Sequence, residues 1–258
     1  MARISPRRFP KYSRKHAEHP LFTASEFTAG MPHSPANVIF VYSKGLAESI
    51  ADHLGLAPTS RPYGENTSIN VRNFSDSSES IYLMMPGAGA AMTATVADEL
   101  HSLGARNFLI LGIAGSLSLK LKINDIVLCR KALRDEGVSH HILPPALYDY
   151  PSPDLVSYLR MGMRESGIKF TAGPTWTVDY PYAETVEEVR EYRSRGIMTV
   201  EMEAAALFAV GKARRFRTAA VFTISDILDE ENWSGIKTPI EGMKQLTRVA
   251  QIFSQFRD

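Results

Sequence analysis

The residues most able to do chemistry cluster in the stretch 198–226, MTVEMEAAALFAVGKARRFRTAAVFTISD. Glu201-Met202-Glu203 sets a carboxylate on each side of a thioether, and Ser225-Asp226 adds a third acid further on. Carboxylates gathered in one pocket can bind hydroxyls, set negative potential beside a developing cation, or deliver a proton to a leaving group. A plainer reading stands beside this one. Acids suit a helix N-terminus through the macrodipole, and Ser225-Asp226 would suit a cap. The neighbouring elements decide what these side chains can reach. Residues 198–200 form a short β-run, and residues 204–214 have helix-forming composition with Leu207, Val210 and Arg214 on one stripe. Arg217 turns the chain into the apolar run 219–224. Apolar runs separated by a helix read as buried parallel strands joined by a crossover, with ligand sites beyond their carboxyl ends. Glu201, Glu203 and Asp226 are therefore expected at one rim of one sheet.

The order strand, E-M-E, small-residue helix, apolar strand, S-D resembles the nucleoside phosphorylase superfamily, which includes purine nucleoside phosphorylases, uridine phosphorylases and methylthioadenosine nucleosidases. The resemblance runs from about His19 to the C-terminus. It implies an α/β fold, a single-domain three-layer α/β/α arrangement with a central mixed, mostly parallel twisted sheet, over residues 36–258. A basic, partly flexible N-terminal arm over residues 1–35 would precede it. In such enzymes the E-M-E segment holds the ribose and the S-D carboxyl assists departure of a purine.

Composition narrows the alternatives. The chain has 258 residues, 44% of them hydrophobic, enough to bury a full core. A formal net charge of +1 argues against non-specific nucleic-acid binding as the main task. The lone cysteine, Cys129, excludes an intrachain disulfide framework and fits a reducing cytoplasm; at the end of the run 125–129 it reads as a buried thiol. No apolar segment approaches the ~20 residues needed to span a bilayer, and the N-terminus lacks the apolar region of a secretory signal. Arg3, Arg7, Arg8, Lys11, Arg14 and Lys15 all precede the first acid, Glu18, which with the interspersed prolines suggests a solvated arm.

Further motifs extend the resemblance. The segment His19-Pro20-Leu21-Phe22 is similar to the start of uridine phosphorylases, where a His reaches a neighbouring subunit's ribose 5′-hydroxyl; an exposed loop histidine is the alternative. Phosphorylases carry a Gly-Asp-Pro-x-Arg turn after the first strand, which here is 38–42. This chain has Tyr42-Ser43-Lys44-Gly45-Leu46, leaving Lys44 as the nearby cation. Arg61 stands where the family has an arginine donated across a dimer to phosphate. After the strand 81–85, Pro86-Gly87-Ala88-Gly89-Ala90-Ala91 lacks the third glycine of a dinucleotide fingerprint, since residue 92 is Met92. It resembles instead the family's glycine-rich loop, where missing side chains let a ligand approach backbone. The helix 93–103 follows, with Val96 and Leu100 inward. Gly112-Ile113-Ala114-Gly115-Ser116 matches the family's next glycine turn, but Ile110 and Ile113 replace the Arg and Ser/Thr that touch phosphate.

The run 121–129 reads as a strand, and Arg134-Asp135-Glu136-Gly137 as the family's R-x-D/E-G loop. His140-His141 lack companions at metal-ligand spacing and read as loop or interface residues; no metal and no cofactor is expected. The turn-rich 148–153, the helix 155–167 and the strand 170–178 lead to Asp179-Tyr180-Pro181-Tyr182. The family places a base-stacking aromatic here, which makes Tyr180 the candidate, ahead of Trp176 and Tyr182. Ala183 and Thr185 occupy the positions of the Gln and Arg that read uracil in uridine phosphorylases. A charged helix over 184–196, a loop 228–239 carrying Trp233 as a candidate lid, and an amphipathic helix over 240–256 complete the chain.

These readings converge on cleavage of a nucleoside N-glycosidic bond. Glu203 would grip the 2′- and 3′-hydroxyls, Met202 would pack beneath the sugar, and Asp226 would protonate N7 of a purine. To donate near neutrality Asp226 needs a pKa above the usual ~3.9, which burial beside Glu201 and Glu203 would supply. Gly87, Gly89, Gly115 and Ser225 would complete the substrate pocket, with Lys44 and Arg61 as the cations left for phosphate and Arg72 as a further one. Phosphorolysis to a free base and ribose 1-phosphate is the first expectation. The alternatives are a phosphate-independent nucleosidase, because the anion site is depleted, and a non-catalytic nucleoside-binding or storage protein. Since His19 and Arg61 make sense only when donated across an interface, a homodimer or a trimer of dimers is expected, without nucleic-acid or membrane partners.

Overall fold

Alternation along β1 (Asn37–Val41) fixes the layering. Ile39 and Val41 join Leu109, Leu111, Ala219 and Val221 on one face, while Val38 and Phe40 join Phe108, Ile110, Ala220 and Phe222 on the other. A sheet apolar on both faces needs cover on both, and helices supply it. The computed structural model describes residues 15–61, 73–78, 80–229 and 233–257. Within them α1 (Ala24–Phe27), β1, α2 (Lys44–Leu54), β2 (Ala57–Thr59), β3 (Asn73–Ser75), β4 (Ile81–Met84), α3 (Ala90–Ser102) and β5 (Asn107–Ser116) come first. Next are β6 (Ile126–Asp135), α4 (Val138–Ile142), β7 (Tyr148–Asp149), α5 (Pro153–Glu165) and β8 (Thr171–Val178). The chain ends with α6 (Val186–Ser194), β9 (Thr199–Glu201), α7 (Ala204–Arg214), β10 (Arg217–Ile227) and α8 (Ile240–Ser254). Leu46 and Ile50 of α2, Leu155 and Leu159 of α5, and Leu246 and Val249 of α8 cover the first face. Val96 and Leu100 of α3, with Leu207 and Phe208 of α7, cover the second. The result is one α/β domain around a mixed, largely parallel sheet.

The sheet runs β10-β6-β8-β9-β5-β1-β4-β3-β2, and β10 also pairs with β5. Strands β5, β9, β8, β6 and β10 therefore close into a ring, with the remaining strands fanning out from β5. The parallel ladders are the long ones: β10 follows β5 from Arg217↔Asn107 to Ile227↔Ser116, and β6 follows β8 from Val127↔Thr171 to Asp135↔Val178. The expectation that β9 and β10 run parallel is overturned. Strand β9 is antiparallel to β5 while β10 is parallel to it. An apolar run reports burial and not direction, so the sequence pattern could not tell these arrangements apart.

Several boundaries also move for local reasons. Helix α3 begins at Ala90, ahead of the expected residue 93, because Gly89 takes φ +98 and caps it. Strand β6 starts at Ile126 and carries Arg134 and Asp135, which were expected in a loop. Residues 122–125 instead make a turn closed by the Asp125 carboxylate on the Lys122 N–H at 2.8 Å, with Asn124 left-handed at φ 77. His140 and His141 lie on α4 and not in a loop, and His140 is buried. Arg214 leaves its apolar stripe to bond Asp98 at 2.9 Å. Cys129 is buried, as expected. Of the arm read over residues 1–35, residues 1–14 lie outside the described residues, and so does Arg72. From Ala24 onward the chain is docked: Thr28 bonds Ser102 at 2.7 Å, and the Ser34 N–H donates to the Leu103 carbonyl at 3.0 Å. No described helix is long and apolar enough to cross a membrane.

Helix α8 is fastened to β10, the strand that carries Asp226. The Gly242 N–H donates to Asn124 Oδ1 at 3.0 Å, and a Cβ on Gly242 would collide with the side chain of Thr223 and press on the Asn124 backbone. Gly242→Ala is therefore expected to cost about 1–3 kcal/mol, the usual range for overpacking, read as a lower urea midpoint at unchanged m-value.

Candidate active site

Gly115 is the hinge point of the rim. Its register partners are Val200 on one side and Asp226 on the other. Two inter-strand spacings, roughly 10 Å, thus separate the Cα atoms of Val200 and Asp226, a span one nucleoside can bridge. A Cβ on Gly115 would sit 2.5 Å from Leu228 Cδ1, 3.1 Å from Val200 Cγ1 and 3.3 Å from Asp226 Oδ2, so a larger residue here would displace the side chains around the carboxylate. A β-bulge falls between Ile224 and Asp226. Bulges bend a strand and re-aim its side chains. Here the bulge accompanies the turn of Ser225 and Asp226 toward the rim, where both are buried. Asp226 Oδ1 accepts from the Ser225 hydroxyl at 2.6 Å and Oδ2 from the Trp233 indole N–H at 2.9 Å.

Glu201 ends β9 and Glu203 is the N-cap of α7. The Glu201 carboxylate is buried and fully engaged: Oε2 accepts the Glu203 N–H at 2.8 Å and the Ala204 N–H at 2.7 Å, and Oε1 accepts the Thr177 hydroxyl. It caps the helix from the preceding strand, which is the plainer of the two readings of its sequence. Glu203 reaches the other way. Its Oε1 accepts the Gly89 N–H at 2.7 Å, and its Oε2 the Met202 N–H at 3.2 Å. Gly87 (φ +94) and Gly89 (φ +98) hold left-handed backbone that favours glycine, which is how the loop turns an amide toward Glu203. Burial raises both carboxyls, Glu201 to about 8 with the charge of Glu203 adding to the rise, and Glu203 to about 7.

Four residues that the sequence reading did not single out belong to this rim. Thr177 alternates with Trp176 along β8 and holds Glu201. The Tyr42 ring lies against Gly112, its hydroxyl bonds Thr93 Oγ1 at 2.8 Å, and burial together with the charge of Glu203 pushes its pKa well up. Glu184 follows a 3₁₀ turn, Pro181–Ala183, and is raised to about 7 by burial and by the charge of Asp226. Buried polar residues alternating on a strand, Thr175 and Thr177, were a legible signal; Glu184 offered none beyond its membership of a charged run.

Other candidates sit elsewhere in this chain. Tyr180 is 62% exposed at the rim's edge, edge-on to Tyr182 at 5.5 Å. Trp176 is buried against Tyr192 with its N–H on Asp135, so it is a core residue and not a base platform. His19 is exposed and makes no hydrogen bond among the described residues. Lys44 opens α2 and pairs with Glu48 at 3.8 Å. Arg61 follows β2, the outermost strand of the sheet, four strands from β5. Ile110 is buried between its register partners Phe40 and Ala220 on the α3/α7 face, whereas Ile113 is 38% exposed. Arg134 folds its own loop, donating to Ser139 and to the Pro144 carbonyl.

The raised carboxyls carry a pH dependence. A folded chain that holds these protons more tightly binds more of them between the ordinary glutamate range and about pH 8 than the unfolded chain does. Stability must then fall as pH rises through that window. Urea midpoints taken from pH 5 to pH 8 should decline, and Glu201→Gln should flatten the decline; a rise over the window would contradict the burial argument.

Comparison with known proteins gives this geometry its context. Guanosine phosphorylase of Halorubrum lacusprofundi is 27% identical over 194 residues, 74% of this chain and 78% of that protein. Purine nucleoside phosphorylase from Toxoplasma gondii, solved with immucillin-H, superposes with a TM-score of 0.73 at 22% identity, covering 87% of this chain and 94% of the other. AMP nucleosidase from Bacteroides thetaiotaomicron superposes with a TM-score of 0.68 at 24% identity, covering 86% and 90%. These two solved structures bear on the fold alone. The family model described as "Phosphorylase superfamily" matches residues 37–255, and the chain belongs to that superfamily.

Proposed function

We propose that this chain is an enzyme that cleaves the N-glycosidic bond of a nucleoside with a purine-like base, by phosphorolysis to the free base and ribose 1-phosphate. The observation that carries the reading is that Gly115 has Val200, three residues before the buried Glu203, as register partner on one side and the buried Asp226 on the other. Glu203 spends one lone pair of each oxygen on a backbone amide, and the ribose 2′- and 3′-hydroxyls would donate to those that remain. Its charge then lies beside the cationic C1′ of the transition state, a preorganised stabilisation of the kind that dominates many enzymes. As the C1′–N9 bond breaks, its electron pair moves into the purine, N7 takes a proton from Asp226, and a phosphate oxygen bonds to C1′. Ser225 and Trp233 orient the Asp226 carboxyl. Glu201 acts through Glu203, whose amide it fixes, and Met202 and Tyr180 would contact sugar and base. Thr185 is committed to capping α6, with its hydroxyl on the Glu188 N–H at 3.2 Å. That disfavours uracil reading at this position.

A second reading, hydrolysis, has its own observation. Ile110 is core and Tyr42 packs against Gly112 where the phosphate cradle is expected; water needs no anion site. The cations that the family resemblance leaves for phosphate are Lys44 and, donated from a neighbouring copy, Arg61. That second contribution, with His19, motivates a homodimer or trimer of dimers.

Base release from inosine, guanosine, adenosine, methylthioadenosine and uridine, with and without phosphate, tests both readings. Phosphate-dependent release of a purine is expected. Turnover that ignores phosphate removal would select hydrolysis, and no release from any nucleoside would leave a binding protein. Asp226→Ala should lower kcat by about 10²–10⁴ with substrate binding retained, and Glu203→Ala should weaken both binding and kcat. A fully active monomer would exclude the donated His19 and Arg61.

A further inference from the structure

A cavity of about 720 Å³ opens where α5, the segment before β8, and β6 converge, and four of its lining residues are Arg130, Arg160, Arg164 and Lys169. Ile168 and Phe170 give it an apolar wall. It lies at the amino end of β8, about 20 Å along that strand from Thr177, which holds Glu201. Three features set these cations apart. Arg160 and Arg164 are four residues apart on α5, hence on one helix face, where like charges repel. Arg130 falls at the β-bulge between Cys129 and Lys131, which breaks the β6–β8 register. No carboxylate lines the cavity, and none of the four cations is ion-paired among the described residues. Arg160 Nε is in addition buried with no hydrogen-bond partner. The chain has 29 Lys and Arg against 28 Asp and Glu, so the cluster does not reflect a general basic excess.

Cations gathered without counter-charge repel one another unless an anion joins them, and guanidinium groups match phosphate oxygens through paired donors. The volume falls within the small-molecule range. We propose that this cavity is a binding site for a phosphate-bearing small molecule carrying two or more phosphoryl groups, separate from the catalytic rim. Arg160 and Arg164 grip the phosphoryl oxygens from one helix face, and Arg130 and Lys169 close on them from the strand side. Ile168 and Phe170 contact any organic portion.

Isothermal titration of the full chain at low ionic strength, with pyrophosphate and with ATP as probes, tests this. Expected is saturable binding at one site per chain, weakened at least tenfold in the double variant Arg160→Gln/Arg164→Gln and weakened by added salt. Neither arginine side chain makes a hydrogen bond among the described residues, so the variant should keep its thermal midpoint and its nucleoside cleavage. Tighter binding of ATP than of pyrophosphate would identify an organic phosphate as the occupant, and equal binding an inorganic one. Absence of saturable binding by both probes, or binding undiminished in the double variant, overturns the proposal. So does an Arg164→Glu variant that dissociates an oligomer while leaving anion binding unchanged. Nucleoside cleavage and anion binding are read separately, so failure of one assignment does not touch the other.

Discussion

The Glu201 carboxylate has little contact with water, and its oxygens are taken by the Thr177 hydroxyl and by the amides of Glu203 and Ala204. A buried acid without those donors would be costly, and a helix N-terminus without an acceptor would leave amides unsatisfied. Each need answers the other. The consequence is positional: strand β9 and helix α7 meet at a fixed angle, and Glu203, the residue between them, has its backbone pinned before any ligand arrives. Its side chain is then aimed at Gly89, which ties the glycine loop ahead of α3 to the same junction. Three segments distant in sequence are held by one set of hydrogen bonds to two buried carboxyls.

The ring of β5, β9, β8, β6 and β10 makes that junction useful. In an open sheet β9 and β10 would each be placed by a crossover. Here both pair directly with β5, and Gly115 lies between Val200 and Asp226. The ring also explains why α7 is rich in alanine. Every residue from Ala204 to Gly211 is buried, so the helix must fit closely among α3, α4 and the sheet, and small side chains permit that approach. On the other side of the rim, Ile110 and the ring of Tyr42 fill space with apolar matter where an anion would need donors. The half of the rim around Glu201 and Glu203 is thus built from buried acids and amides, and the half around Ile110 and Tyr42 from largely apolar side chains.

How much of this was legible in sequence follows from what each pattern encodes. The bounds of α7 could be read to the residue, because a small-residue run between E-M-E and an Arg cluster has clear ends. The layers were legible too, since burial on both faces leaves unbroken apolar runs. Direction was not: nothing in residues 198–200 distinguishes a strand parallel to its neighbours from one that closes a ring. The start of β6 was misread because Ile123 continues the apolar pattern through what is in fact an Asx-closed turn at Asp125. The acids at the rim were identified, but their division of labour was hidden. Glu201 and Glu203 look alike in sequence, and only the register Thr177↔Glu201 turns the first toward the helix amides. Trp233 read as a residue of a covering loop, and its bond to Asp226 depends on a bridge between Leu228 and Trp233 that no local pattern announces.

The raised pKa of Glu203 fits the part it would play with a diol. A carboxylate has about four lone-pair sites, and two are filled by the Gly89 and Met202 amides. Burial favours the protonated form, which is why the group is pushed to about 7 against the lowering effect of those two amides. Two hydroxyl donors from a ribose would supply what water no longer does and favour the ionised form instead. In the proposed reaction, sugar binding and loss of that proton would therefore be linked, and the negative charge would become cheap at the moment C1′ acquires positive character. A 2′-deoxyribose offers one donor fewer, so it would leave Glu203 more nearly protonated and the developing cation less well met. Discrimination between ribo- and deoxyribonucleosides would then arise from the ionisation of one buried acid as much as from the shape of the pocket around it.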